Sequence, residues 1–489
     1  MFLSLLVLSA TVASIDTQAM QYAATGVPAP VLVVLRQQPD VRGMRFVAKG
    51  QQRLTSVVDT LRDHAAQDQR ELRHALDQRG LRHRSLWAIN AIALHADTAT
   101  LDWLARQPQV AEIVWDGPSR RLPEARTEFT DPAKALDAIE WGVARIRAPE
   151  VWAMGFLGQG VRVAGQDTGY QWDHPALKSA YAGWNGTTAV HDYHWWDAIH
   201  TGGGVCGADA PAPCDDHNHG SHTMGTMVGD DGGANQIGVA PQARWIGCRN
   251  MDQGDGTPSR YAECFQFFLA PTDLAGANPD PARAPHVINN SWGCPASEGC
   301  TDPDILRTLV ENVHAAGILV VASAGNAGSG CNTVQDPAAI YAASFTVGAT
   351  TSSDAMATYS SRGPVTVDGS QRIKPDIVAP GSSVRSANRN NGYYDSSGTS
   401  MAGPHVAGAA ALLMSADPSL KRDPERVIDL LQRSAVPVAS TQQCGGIPAS
   451  VLPNAVFGHG RIDVAAALTL LMQQAPVFDD GFEPPAGSE

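Results

Sequence analysis

The run Ile318-Leu319-Val320-Val321-Ala322, followed at once by Ser323-Ala324-Gly325-Asn326, decides the fold. Five successive apolar residues leave no polar face, so a strand made of them must be buried on both sides. The pattern recurs at Val161–Gly165, Trp245–Cys248, His286–Asn290, Ser344–Ala349 and Asp376–Ala379, with glycine-bearing turns and helix-period stretches between. Such an alternation predicts an α/β fold over residues 138–472, a doubly wound parallel sheet with helices on both faces. Sites in these sheets lie beyond the carboxyl ends of the strands. Asp167-Thr168-Gly169, Asn290-Ser291-Trp292-Gly293 and Ser323–Asn326 all fall there.

Outside this region, residues 30–123 read as a small α+β (ferredoxin-like) unit. Val31–Leu35 and Val110–Val114 are short strands, and Leu86–Leu94 reads as one continuous strand between them. Leu54, Val57, Val58, Leu61, Ala65, Leu72, Ala75 and Leu76 keep the period of a single amphipathic helix. Thr98 is the expected cap of a second helix carrying Leu101 and Leu104. The polar stretch from Arg120 to Leu136 reads as a linker. Residues 473–489 read as an exposed acidic tail. The apolar run Phe2–Ala13 is too short to span a bilayer and suits an export signal over residues 1–22, with cleavage expected within Ala13–Ala19.

Composition narrows the function. The 489 residues carry a net charge of -14, which argues against a nucleic-acid partner. Residues 30–123 run the other way, with 14 Lys plus Arg against 10 Asp plus Glu, which suits docking on the acidic remainder and equally suits two independently soluble surfaces. All 8 cysteines lie beyond residue 200, an even count that suggests disulfides in an exported chain. Cys206–Cys214 and Cys294–Cys300 are the preferred local pairs, leaving Cys248–Cys264 and Cys331–Cys444.

Asp167, His219 and Ser400 supply the types needed to orient an imidazole, accept a proton and attack a carbonyl, in the order Asp, His, Ser. Ser400 opens the apolar run Met401–Met414, so its hydroxyl is expected at a helix N-terminus that favours negative charge. Pro404 is expected close to that helix start, where a missing N–H costs least. His222 and His405 are expected to be packed, hydrogen-bonded histidines.

The segments Val163–Gly169, His219-Gly220-Ser221-His222, Val287–Gly293, Ala322–Asn326 and Gly398–His405 together resemble those of subtilisin-like serine proteases (the subtilase family), nearest the bacillopeptidase F-like branch. The resemblance runs from about Ile139 to Ala467. It implies a secreted (extracellular or periplasmic) endopeptidase acting on polypeptides through an acyl-enzyme. Asp167, His219 and Ser400 would be the triad, and Asn326 the side-chain half of the oxyanion hole. Ser291, Trp292, Gly293, Ala324 and Gly325 would bind substrate, with core packing an equal reading for the Trp292 side chain. Residues 30–123 are similar in element order to the family's inhibitory propeptide, implying a self-processed monomer cut between Arg120 and Arg126 or slightly later. No membrane partner is implied.

No cofactor is required by this reading. The family's usual first calcium site takes a carboxylate just after a His-Pro pair, yet His174-Pro175 is followed here by Ala176. Asn235 and the carbonyls of Ile237 and Val239 would remain as ligands, so structural calcium is possible but that site looks incomplete. A metallopeptidase built on His217, His219, His222, Asp215 and Asp216 is the competing enzyme class, but it lacks the His-Glu-x-x-His spacing. A non-catalytic binding module is disfavoured because every chemical residue is present. The identity of the preferred substrate residue is not legible.

Overall fold

The structure is a computed structural model describing residues 12–117, 119–120, 138–293, 302–448 and 450–474. Its centre is a seven-stranded sheet in the order Ile377–Pro380, Ser344–Thr350, Leu319–Ser323, Val287–Asn290, Arg162–Asp167, Arg244–Arg249, Trp195–Asp197. Every adjacent pair is parallel. Six strands match the expected ones to within two residues. The edge strand Trp195–Asp197 was not anticipated, because three residues are too few to show a period.

Neighbouring residues of a strand point to opposite faces, so each strand feeds two cores. Val163, Val287, Val321 and Val347 pack with Val406, Ala410 and Leu413 of the helix Thr399–Ala416. Ala164, Ile288, Val320 and Ala322 pack with Phe265 and Phe268 of the helix Pro258–Leu269, and with Val310 and Val313 of Arg307–Ala315. The sheet grows in both directions from Arg162–Asp167, so the winding reverses there. That reversal opens a crevice at the carboxyl end of the strand, where Asp167 sits.

The small unit is a five-stranded sheet, Ser14–Ile15, Val110–Trp115, Ala29–Leu35, Ala91–Ala96, His83–Leu86, antiparallel except for its first pair. It starts earlier than Pro30. Ser14–Ile15 pairs with Glu112–Ile113, and Ala19 of the helix Thr17–Ala23 is buried, so the folded unit reaches into the stretch assigned to the export signal. Most of that apolar run, the expected linker cut and the acidic tail beyond Gln474 lie outside the described residues.

Three local expectations are corrected. The continuous strand expected over Leu86–Leu94 is two strands joined by the 3-10 turn Trp87–Ile89 and by Asn90, whose φ of 40° is left-handed. The single helix is two, Gly50–Asp68 and Arg70–Gln78, broken at the buried Gln69, which hydrogen-bonds Asn90 and Ser85. Asp97, not Thr98, caps the next helix, accepting Thr100 N–H at 2.8 Å.

One face of the small sheet is covered by its own helices through Val31, Val33, Ile92, Leu72 and Leu104. The other, with Leu32, Ala93 and Val114, shares a core with the helices Pro258–Leu269 and Arg307–Ala315. Polar contacts match the ends of these two helices. Asp116 accepts Ser259 N–H at 2.7 Å at the start of the first. Arg53 donates to the carbonyls of Ala315 (2.7 Å) and His314 (2.9 Å) at the end of the second. A carboxylate at the positive helix end and a guanidinium at the negative end are each favourable. The turn is gripped from both sides, by Gln266 Oε1 accepting Trp87 N–H (2.7 Å) and by Asn312 Nδ2 donating to Ala88 O (2.8 Å).

Three of the expected disulfides are formed, Cys206–Cys214, Cys248–Cys264 and Cys331–Cys444. Cys294 and Cys300 lie outside the described residues. Arg53 is buried at this junction, and Arg53→Ala strips both helix-end carbonyls of their donor. The expected result is a loss of about 2 kcal/mol of docking stability, read as faster amide exchange in Gly50–Asp68 and Arg307–Ala315.

Candidate active site

Asp167 ends its strand, and its carboxylate Oδ1 meets His219 Nδ1 at 2.6 Å, both side chains being buried. Thr168 N–H donates to the same oxygen (2.7 Å) and Thr223 Oγ1 to the other (3.3 Å). A carboxylate facing Nδ1 fixes the tautomer with the proton there, which makes Nε2 the basic nitrogen. Two glycines permit the approach. A Cβ on Gly169, whose φ is +101°, would lie 1.7 Å from Cys214 O, and one on Gly220 would lie 2.0 Å from Gly169 O.

A second buried carboxylate, weighed in the sequence only as a metal ligand, fixes the helix His219–Val228. Asp215 accepts N–H bonds from His217, Asn218 and Ser221 (each 2.9 Å) and hydroxyls from Ser221 (2.7 Å) and Thr168 (2.9 Å). Burial pushes its pKa up, and those hydrogen bonds oppose the shift. Asn218, in a left-handed conformation with φ of 105°, turns the chain into the helix. Thr168 closes the link by accepting Gly220 N–H at 3.0 Å. The signal available in the sequence was an acid four residues ahead of His219, hidden by the adjacent Asp216.

Ser400 is the second residue of the helix Thr399–Ala416, which packs on the His219 helix. Its hydroxyl donates to Ser291 O at 3.4 Å. Asn326 Oδ1 accepts both the N–H and the hydroxyl of Thr399 at 2.9 Å. With the oxygen end so used, the amide nitrogen is the end presented beside the turn, 3.3 Å from where a Gly398 Cβ would stand. Pro404 lies inside the helix rather than at its start, and withholds the N–H that Ser400 O would accept. Ser291 Oγ fills that role, donating to Ser400 O at 3.0 Å, while Ser323 Oγ donates to Thr399 O at 2.9 Å.

The expected substrate-binding residues form two adjacent segments. Ser291, Trp292 and Gly293 continue from Val287–Asn290, and Ala324 and Gly325 from the neighbouring strand Leu319–Ser323. The Trp292 side chain is not available to a substrate. It is 1% exposed and stacked on Tyr261 with ring centroids 3.8 Å apart. His222 and His405 are tied to backbone carbonyls, Nε2 to Val384 O (2.9 Å) and Nδ1 to Met401 O (2.8 Å).

The residues at the suspected calcium site do not fit a cation. Asn235 Oδ1 is taken by Arg385 Nη2 (2.6 Å) and Val239 O by Trp152 Nε1 (2.9 Å). Ala176 offers a methyl where a carboxylate is needed, and Asp231 is turned into its own loop, accepting Gly233 and Asn235 N–H. The guanidinium already supplies a positive charge. Among the described residues no three His, Cys, Asp or Glu side chains are grouped to hold a metal.

Fold and geometry agree with the comparisons to known proteins. Residues 158–460 match the model of the subtilase family, and the chain belongs to that family. It is 36% identical over 422 residues to Bacillopeptidase F of Bacillus subtilis (strain 168), covering 82% of this chain but only 28% of that relative. It is 30% identical to Alkaline elastase YaB of Bacillus sp. (strain YaB), over 78% of this chain and 79% of the relative. Subtilisin Savinase of Lederbergia lenta is 31% identical over 68% of this chain and 98% of its own length.

Three outcomes are expected. Asp215→Ala orphans five donors and costs about 3 kcal/mol, measurable as a lower urea midpoint. Burial pushes the His405 pKa down from 6.5 to about 4, so the unfolded chain takes up the proton first. Stability is therefore complete above about pH 6.5 and falls as pH drops towards 4, a slope partly flattened in His405→Gln melting curves. Chelation by EDTA leaves amide exchange across residues 229–239 unchanged, whereas Arg385→Ala accelerates it.

Proposed function

We propose that this chain is an exported serine endopeptidase made as a self-processed precursor. The observation that carries the reading is the buried 2.6 Å contact of Asp167 Oδ1 with His219 Nδ1 at the switch point of the sheet. His219 Nε2 takes the proton of Ser400 Oγ as that oxygen attacks a peptide carbonyl. In this reading the hydroxyl leaves Ser291 O for the imidazole as substrate binds, a tightening common at that step. The developing oxyanion is held by Asn326 Nδ2 and the Ser400 backbone N–H, at the positive end of the helix dipole. Imidazolium then returns the proton to the leaving amine, and water repeats the sequence on the acyl-enzyme.

The small N-terminal unit is the inhibitor in this reading. Ser119–Arg120 adds an antiparallel strand to Asp255–Gly256, which itself pairs with Met251–Asp252. Strand addition is how an extended peptide substrate would dock, so the end of the small unit approaches the site as a substrate does. Three disulfides support passage through an oxidising compartment. No helix among the described residues is long and apolar enough to cross a membrane.

Two variants test the chemistry. On the scale established for subtilisin, Ser400→Ala should lower casein hydrolysis by about 10⁶ and leave the small unit attached. Asn326→Ala should lower kcat by about 10²–10³ with little change in KM. Inactivation by a fluorophosphonate but not by a zinc chelator separates this mechanism from a metallopeptidase. Processing of Ser400→Ala at the normal rate would show that another protease makes the cut.

A further inference from the structure

Where the small unit rests on the large one, a cavity of about 460 Å³ takes its walls from both. Arg45, Lys49 and Arg53 come from the small unit, and Lys421, Arg422 and Arg426 from the large one, against the two acids Asp423 and Glu425. Both acids are engaged. Asp423 caps the helix Pro424–Arg433, accepting Arg426 N–H at 3.2 Å. Glu425 is shared by His314 (3.3 Å), Arg53 (3.4 Å) and Arg45 (3.5 Å). Arg426 is paired outside the cavity lining, with Asp417 at 3.5 Å.

Three cations are left without a carboxylate. Lys49 and Lys421 form no ion pair among the described residues. Arg422 is 4% exposed, yet its guanidinium donates only to the carbonyls of Ala284 (2.8 Å) and Pro285. Its buried Nε has no hydrogen-bond partner among the described residues. Burial, with Arg162 nearby, pushes the Arg422 pKa down to about 9. The cavity also receives the start of the helix Gly50–Asp68, which has no side-chain cap. The N–H groups of such a first turn lack helical acceptors and carry the positive end of the dipole.

We propose that this junction binds a compact polyvalent oxyanion of the phosphate class, which clamps the small unit onto the large one. Lys49 on one side and Lys421 and Arg422 on the other are like charges facing across an interface, an arrangement that opposes docking. An anion between them turns that repulsion into attraction. It also offers acceptors to both lysines and to the uncapped helix start. A net charge of -14 makes general attraction of anions unfavourable, so affinity would belong to this local cluster. The site is independent of the chemistry at Ser400. Phe46, also in the lining, is 78% exposed, so a phosphate carried by a lipid headgroup fits the same seat as a free one.

The uncut full chain carrying Ser400→Ala is titrated with sodium pyrophosphate and, at matched ionic strength, with sodium chloride. Pyrophosphate should raise the melting temperature saturably and slow amide exchange at the start of Gly50–Asp68, and chloride should do neither. Lys49→Ala and Lys421→Ala should each weaken the midpoint of that titration by about tenfold, the loss of one charge-assisted hydrogen bond. Arg106→Ala, which removes an exposed charge outside the cavity, should leave the midpoint unchanged. Phosphatidylglycerol vesicles identify the source. Co-sedimentation reversed by pyrophosphate assigns a lipid headgroup, and pyrophosphate binding without co-sedimentation assigns a free anion. Equal effects of chloride and pyrophosphate, unchanged exchange at the helix start, or wild-type midpoints in both lysine variants overturn the site.

Discussion

Everything at the site depends on a place where two stretches of backbone meet with no room for a side chain between them. Gly169 lies against Cys214 and Gly220 against Gly169, and only that proximity lets Asp167 reach His219 at 2.6 Å. Holding an acid and an imidazole this close without water is costly unless the remaining polar atoms are satisfied. Thr168, Thr223 and Asp215 do this, forming a continuous hydrogen-bonded frame from the end of the strand to the first turn of the helix. The strand fixes one partner, the helix fixes the other, and the frame sets their separation.

A second element is tuned by the same kind of satisfaction. The helix bearing Ser400 contains a proline whose missing N–H leaves the Ser400 carbonyl without its helical donor. Ser291 and Ser323, from two neighbouring strands, supply hydroxyls to the first carbonyls of the helix. The Ser400 backbone is thereby tied to the sheet. Asn326 is tied to the same helix through Thr399. Sheet and helix are thus registered to each other by polar bonds at the one end where chemistry is expected.

Much of this was legible in the sequence because a doubly buried strand leaves a strong signal. Runs such as Ile318–Ala322 are apolar throughout, and their carboxyl ends could be read directly. What escaped had a physical cause in each case. Trp195–Asp197 is too short to show a period, and Asp197 belongs to a buried pair with Arg249. The break at Asn90 depends on one left-handed residue inside an otherwise strand-like run. Asp215 is one of two adjacent acids, and only its five donors distinguish it from Asp216, which burial pushes up to about 7. For Trp292, which the sequence left divided between substrate contact and core packing, the ring turns inward to Tyr261. The direction of a side chain at the end of a strand is set by packing partners far away in sequence.

The shared core between the small and large units has a consequence for timing. As parts of one chain, the two surfaces face each other at an effective concentration of about a millimolar or more, whatever the dilution of the protein. Cutting the connection leaves every contact of Arg53, Asp116 and the Trp87–Ile89 turn in place, yet converts a unimolecular equilibrium into a bimolecular one. From that moment the volume into which the molecule diffuses decides how long the two halves stay together. For a chain cut and exported as proposed, export itself would act as the clock, a crowded compartment holding the pair closed and an open medium letting it part.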